Sequence, residues 1–474
     1  MNPEMPVPAD AAYRTEPGSF RDRDGRVYYH QDAVLRGLSA HALRQWQELS
    51  AKDFFARFQT VGQIVRTRQI EPPLGLTESG DWAGWLEHER IPFVSYTYEW
   101  PFGMLQDATL LQLELLLGAL GEDMVLKDAS AYNVQWVGTR PVFIDIPSFE
   151  SLSGGAAWTG YRQLCELGLY PLFLQAYKDV PFHPWLRGRL DGIAAEECWH
   201  VMSWFDLLHR GVFTHVYLQH KLQARYGRSS RPVTDELRSA GFSTELIASN
   251  ARGLRQLVRG LSWRRSGSAW SEYAESNSYS APDRERKLTF VRDALATSRP
   301  KLAWDLGCNT GTFSRLAAEY ADYVIAMDAD HLAVERLYQQ LKAEHVTSIL
   351  PLVNNLADPS PQLGWRLRER KDLADRGKPD MTLVLALLHH LVLGANIPLA
   401  ELIDWLAILE TDLVIEFVTK DDPMAQGLLR NKTDNYRDYE VGHFEALLQG
   451  RFAVQQRVGL ASGTRILYYA TYTH

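Results

Sequence analysis

The chain has 474 residues, 46% hydrophobic and 23% charged, with a formal net charge of -8. That length exceeds one typical domain and the composition is globular, so two or three domains are expected. The acidic balance argues against broad nucleic-acid binding, which leaves a basic footprint, and no nucleic-acid partner is expected. The three cysteines, Cys165, Cys198 and Cys308, lie far apart, which fits neither a disulfide framework nor a zinc spacing. No metal site is expected on that basis, and a reducing compartment is. The opening residues are proline-rich and polar, without the apolar core of a signal peptide. No run reaches the roughly 18 apolar residues of a membrane helix. The expectation is a cytoplasmic protein without a membrane span.

Residues 1–26 read as a flexible tail with no sustained period. A strand follows at RVYYH, then a helical stretch at HALRQWQELSAKDFFARF. A strand pair is expected from TVGQIVRTRQI and, beyond a loop rich in Gly and Pro, IPFVSYTYEW. Leu105 to Leu120 reads as an apolar helix. In the next stretch Asp128 and Asn133 stand five positions apart, and a hairpin-like segment, VQWVGTRPVFID, delivers Asp145.

That arrangement resembles the catalytic core of protein-kinase-like phosphotransferases. The resemblance implies that Asp128 sits at the base position and that Asn133 and Asp145 sit at magnesium positions. The departures are plain. Leu126-Lys127 stand in place of His-Arg, and Ile146-Pro147 follow the second Asp in place of Phe-Gly. No G-x-G-x-x-G loop and no V-A-I-K lysine occur upstream. The resemblance therefore implies a mainly helical α+β, kinase-like domain over 27–260, expected to be non-catalytic. Magnesium would enter only if that site were live.

Residues 151–250 read as mostly helical, with amphipathic stretches at WTGYRQLCELGLYPLFLQAY and ECWHVMSWFDLLHR. The second is ringed by aromatics and is expected in the core. His200, His209, His215 and His220 have no metal-ligand spacing and read as structural. Lys221, Arg225, Arg228 and Arg231 read as a solvated face. A domain boundary is placed at Leu261 to Trp270, LSWRRSGSAW.

The stretch Lys301 to Asp330 is a strand ending on Asp305, a tight turn Gly307-Cys308-Asn309-Thr310-Gly311, a helix, and a second strand ending on Asp328. Such a unit builds a ligand crevice at the carboxyl edge of a parallel sheet. The turn lacks the G-x-G-x-x-G spacing of pyrophosphate sites. DLGCNTG instead resembles the first motif of class I S-adenosylmethionine-dependent methyltransferases, with Asn309 at the middle glycine position. Asn tolerates the left-handed backbone that the position needs. The resemblance implies a cofactor site of Asp305, Gly307, Asn309, Gly311 and Asp328, with S-adenosyl-L-methionine as cofactor. It adds Tyr273 and Tyr279 from the preceding segment, and Asn355 after the third strand as a hydrogen-bond acceptor for the adenine amine.

GWRLRERKDLADR is expected to form a basic helix. MTLVLALL reads as a fourth strand running into His389-His390, LAELIDWLAILE as a helix, and TDLVIEFV as a fifth strand with Glu416 inside it. A helix and two strands close the chain. The fold expected over 261–474 is Rossmann-like α/β: a seven-stranded, mostly parallel sheet whose last strand pair is antiparallel. The tip of strand four is where acceptor chemistry belongs, so His389 and His390 are the candidate catalytic residues. KDASAYNVQW, PVFIDIPSFE, DLGCNTG and ALLHHL also resemble a bacterial group of nodulation-associated methyltransferases. That likeness implies methylation of a small molecule or glycan, without fixing the substrate; a hydroxyl is the expected acceptor group. The competing readings are a bifunctional kinase–methyltransferase and a non-enzymatic scaffold that keeps both folds.

Overall fold

A computed structural model describes residues 13–73, 82–152, 157–226, 243–265, 267, 280–433 and 435–473. The chain opens with a five-stranded antiparallel sheet, in the order Arg14–Thr15, Gly25–His30, Ala33–Leu38, Gly84–His88, Thr67–Ile70. Helices Ala40–Ser50 and Asp53–Thr60 follow its third strand; the first is capped by the Ser39 hydroxyl, which accepts from the Ala42 amide. Thr67–Ile70 pairs with Gly84–His88, not with IPFVSYTYEW as its alternation suggests. That segment runs irregularly through one 3-10 turn, Thr97–Glu99. Its aromatics are buried for a different purpose: Phe93 meets Trp304 edge to face, and the Arg376 guanidinium lies over Tyr96.

Helix Phe102–Leu120 is apolar around most of its circumference, and the fold accordingly buries it on several sides. The hairpin Val134–Val137 with Arg140–Phe143 forms as its sequence indicates. A helical run follows from Tyr161 to Lys178. ECWHVMSWFDLLHR does not continue as one core helix. Helix Ala195–Val201 ends, and the Asp206 carboxylate accepts from both the Ser203 amide and its hydroxyl, restarting the chain as the 3-10 turn Trp204–Leu208. The new direction turns Trp204, Phe205 and Leu208 outward, at 69%, 82% and 88% exposed.

The second half is a seven-stranded mixed sheet: β1 Leu302–Leu306, β2 Tyr323–Asp328, β3 Ile349–Val353, β4 Met381–Val384, β5 Asp412–Val418, β6 Phe452–Gly459 and β7 Arg465–Tyr472. The order is β3-β2-β1-β4-β5-β7-β6. Neighbours from β3 to β5 are parallel, β7 runs antiparallel to β5, and β6 antiparallel to β7. Each strand alternates between two cores. Ala303, Val324, Ala326 and Leu383 pack on one side against helix Ala281–Ser298 and helix His331–Ala343. Trp304, Leu306, Ile325, Met327, Leu350 and Leu352 face the other way and join the core of the first half.

The second face has a physical consequence. In a doubly wound sheet a helix usually links consecutive parallel strands and covers the face. Between β3 and β4 the chain makes two single 3-10 turns, Trp365–Leu367 and Ala374–Arg376, and no α-helix. The expected basic helix is therefore absent. Its cations are spread along an irregular strap that reaches back: Arg370 donates to the Tyr132 hydroxyl at 3.0 Å, Lys371 to Glu16 at 2.7 Å, and Arg376 to both oxygens of Glu99 at 2.7 Å. A regular helix would spread those three side chains around its axis. The first half of the chain covers the sheet where that helix would lie.

Candidate functional site

Two glycines and an asparagine shape the turn after β1. Gly307, Asn309 and Gly311 have φ of 79°, 48° and 84°. A Cβ at Gly311 would stand 2.5 Å from Leu337 Cδ1, so both backbone angle and space require glycine there. The Gly307 and Cys308 amides donate to the Met327 carbonyl at 2.8 and 3.0 Å, strapping the turn to β2. The Asp328 carboxylate then accepts from the Asn309 amide at 2.8 Å on one oxygen and from the Asp330 amide at 2.8 Å on the other. The structure thus brings the turn and the acid closing β2 into direct contact.

Asp305 is buried at the end of β1 and accepts from the Ser314 hydroxyl at 2.6 Å. Burial, with Asp328 nearby, pushes its pKa up to about 6. Burial raises Asp328 as well, and pushes the Cys308 thiol far up between the two acids. Two neighbouring carboxylates beneath the turn make a local field that favours a cation over a pyrophosphate.

Asn355, expected as the adenine acceptor, lies exposed, and its Oδ1 accepts from the Ala357 amide at 3.1 Å in a local turn. Its neighbour Asn354 is the buried one. The Asn354 side chain donates to the Ser360 hydroxyl at 3.3 Å, and its Oδ1 has no protein partner. Tyr273 and Tyr279 lie outside the described residues.

Strand β4 ends at Val384, earlier than MTLVLALL suggests, because Ala386 takes a left-handed φ of 53°. His389 and His390 therefore begin the helical turn beyond the strand instead of standing at its tip. Their ring centroids lie 4.0 Å apart with the planes tilted by 40°. His389 is fully buried and neither ring nitrogen has a protein partner. Burial, with His390, Arg465 and Lys287 nearby, holds His389 well below its usual 6.5; burial and Arg465 bring His390 to about 4. Both imidazoles are neutral near pH 7.

Two cations near them were not legible as site residues. Lys287, on helix Ala281–Ser298, donates to Glu416 of β5 at 2.7 Å, and Arg465, opening β7, pairs with Glu416 at 3.5 Å and Asp422 at 2.8 Å. All four are almost fully buried. The available signal was Glu416 itself, a charge inside an apolar strand, which demands a buried partner.

A second cluster lies in the first half. Asp145 accepts from Arg36 Nη1 at 2.8 Å on one oxygen and from the Ser148 hydroxyl on the other; Asn133 donates to that hydroxyl at 3.2 Å. Asp128 accepts from the Ser130 amide at 3.0 Å, and its pKa is raised chiefly by burial, with Asp145 also contributing. Asp128, Asn133 and Asp145 are thus brought together. Arg36 was the missed member, a cation in the strand AVLRGL. Among the described residues no group of three or more His, Cys, Asp or Glu could hold a metal ion.

No family model matches the chain. Nodulation protein NoeA of Rhizobium meliloti (strain 1021) is 32% identical over 453 residues, which cover 95% of this chain and 94% of that protein. Three methyltransferases of known structure match part of the chain. N-methyltransferase NodS from Bradyrhizobium japonicum WM9 is 15% identical, over 41% of this chain and 98% of its own, with a TM-score of 0.29. Magnesium protoporphyrin IX methyltransferase (ChlM) from Synechocystis PCC 6803, with bound SAH, is 19% identical over 40% and 84%, at 0.30. The bifunctional kinase-methyltransferase WbdD is 18% identical over 43% and 42%, also at 0.30.

Proposed function

The chain belongs to the family of nodulation protein NoeA, and from that premise we propose that it is an S-adenosylmethionine-dependent methyltransferase acting on a hydroxyl of a small molecule or glycan. One observation carries the reading: Asp328, closing β2, lies 2.8 Å from the amide of Asn309 in the glycine turn. A nucleoside seated there meets a carboxylate fixed by two amides, with further lone pairs for ribose hydroxyls. Gly307 and Gly311 let the backbone approach it closely. Asp305 contributes negative charge beneath the turn. Asn355, or the buried Asn354 beside it, would accept from the adenine amine.

The cofactor, when bound, supplies a methyl group already activated by its positive sulfur. The protein aligns the acceptor and excludes water. His389 is a fully buried, neutral imidazole and would take the acceptor's proton, with His390 packed against it. The test is incubation of the purified chain with labelled S-adenosylmethionine and extract of its host, beside Asp328→Ala. A labelled small molecule or glycan with the native chain alone is expected. Firm cofactor binding without any labelled product would overturn the enzyme reading in favour of a scaffold.

Phosphotransfer at Asp128, Asn133 and Asp145 is the second reading, favoured by their convergence with Arg36. Both oxygens of Asp145 are already engaged, however, by Arg36 and Ser148. The arrangement does not fit a magnesium site, and the cluster reads as a fold-maintaining remnant. ATP turnover with magnesium is expected at background; turnover abolished by Asp145→Ala would reverse this.

A further inference from the structure

We propose that the face formed by Trp204, Phe205, Leu208, Phe213 and Leu222 docks the protein on an anionic lipid bilayer. These side chains are 69%, 82%, 88%, 49% and 42% exposed. Tyr217 joins two of them: Trp204 contacts Trp199 and Tyr217 at ring-centroid distances of 5.4 and 6.1 Å, and Phe213 stacks on Tyr217 at 5.8 Å, while Phe205 and Leu208 share the turn that carries Trp204. Single exposed apolar residues are ordinary, whereas a contiguous exposed set marks a contact surface.

Two features choose the occupant. The first is shape. Side chains at these exposures protrude from the 3-10 turn Trp204–Leu208, the π-helical turn Val212–Tyr217 and the helix Leu218–Tyr226, and protruding Trp, Phe and Leu suit insertion at the headgroup boundary. The second is charge. In a chain of net charge -8, the run from Trp199 to Leu222 has one carboxylate, Asp206. It is buried and bound by Lys178 at 2.9 Å. The exposed charges on the run are cations: Arg210, and Lys221, whose Nζ lies 5.6 Å from the Tyr217 ring. The nearest exposed carboxylate preceding it is Glu196. Apolar tips with Arg210 and Lys221 as the exposed charges of the same run match an anionic headgroup layer. Among the described residues no helix is long and apolar enough to cross a membrane, so the contact is peripheral.

The experiment is flotation of the full chain with vesicles of phosphatidylcholine alone and of phosphatidylcholine with phosphatidylglycerol. Binding is expected to the mixed vesicles, at least about tenfold weaker to phosphatidylcholine alone. A Trp204→Ser, Phe205→Ser, Leu208→Ser variant should bind the mixed vesicles about tenfold less or weaker still, with unchanged circular dichroism. Arg210→Glu with Lys221→Glu should erase the preference for anionic lipid. Absence of vesicle binding, equal binding by the triple variant, or a native dimer that the triple variant dissolves would each overturn the proposal. The last result would make the face an interface between two copies of the chain.

Discussion

Asp328 accepts from the amides of Asn309 and Asp330, so Asp328→Ala strands two donors and removes the acceptor proposed for ribose. Charged hydrogen bonds contribute about 1.5–3 kcal/mol each. Calorimetric titration should therefore show S-adenosylmethionine affinity falling at least about tenfold, and an unchanged affinity would sink the assignment. Asp305 gives a pH signature. Its folded pKa of about 6 exceeds the usual 3.8, so the folded protein keeps a proton that the unfolded chain releases. Its contribution is most favourable below 3.8, declines as pH rises, and levels off above about 6. Asp305→Asn escapes that decline. The variant should gain thermal stability over the native chain between pH 4 and pH 7, by on the order of 3 kcal/mol at the upper end, while its cofactor affinity drops. Equal pH profiles for the two proteins would count against a buried, titrating Asp305. These acids and glycines were readable because one short segment carries them in fixed spacing. Lys287 and Arg465 were not, since their partners are remote in sequence and nothing local marks the pairing.

The glycine turn is a connection that tolerates little change. Alanine at Gly311 would take a left-handed angle costing about 1–2 kcal/mol and crowd Leu337 by a further 1–3 kcal/mol. At Gly307 a Cβ would meet Leu387 no closer than 3.3 Å. Gly311→Ala should thus lower Tm more than Gly307→Ala, and the reverse order in a thermal melt would contradict the packing described. The strands of the large sheet were legible because their apolar runs are bounded by turns and need few distant partners. The strap between β3 and β4 was not. Its helical propensity yields to ion pairs with Glu16 and Glu99 and to the Tyr132 hydroxyl, all far away in sequence. Trp204, Phe205 and Leu208 misled for the opposite reason: aromatic spacing suggested burial, and the break at Ser203 turned them out.

The two halves share a core. Trp304, Leu306, Ile325 and Leu350 of the sheet pack with residues of the first half, and Gly138 donates to the Tyr323 hydroxyl at 2.8 Å. A fragment spanning 280–474 would leave that face in water. It is expected to be aggregated or poorly folded by circular dichroism; a monomeric, cooperatively melting fragment would show that the seam is dispensable. Glu99 and Arg376 lie within the seam at 1% and 0% side-chain exposure. Removing one member of a buried pair costs about 3–5 kcal/mol, whereas replacing both with apolar residues of similar volume is often neutral. Glu99 also accepts from the Tyr96 amide at 2.9 Å and from the Ser360 hydroxyl, so exchange at these two positions is expected to be joint and to draw Ser360 with it. Among diverging descendants of this chain, a lineage that loses the acid at 99 should survive mainly where 376 has also surrendered its guanidinium, leaving a correlated pair of exchanges as the fossil of one buried contact.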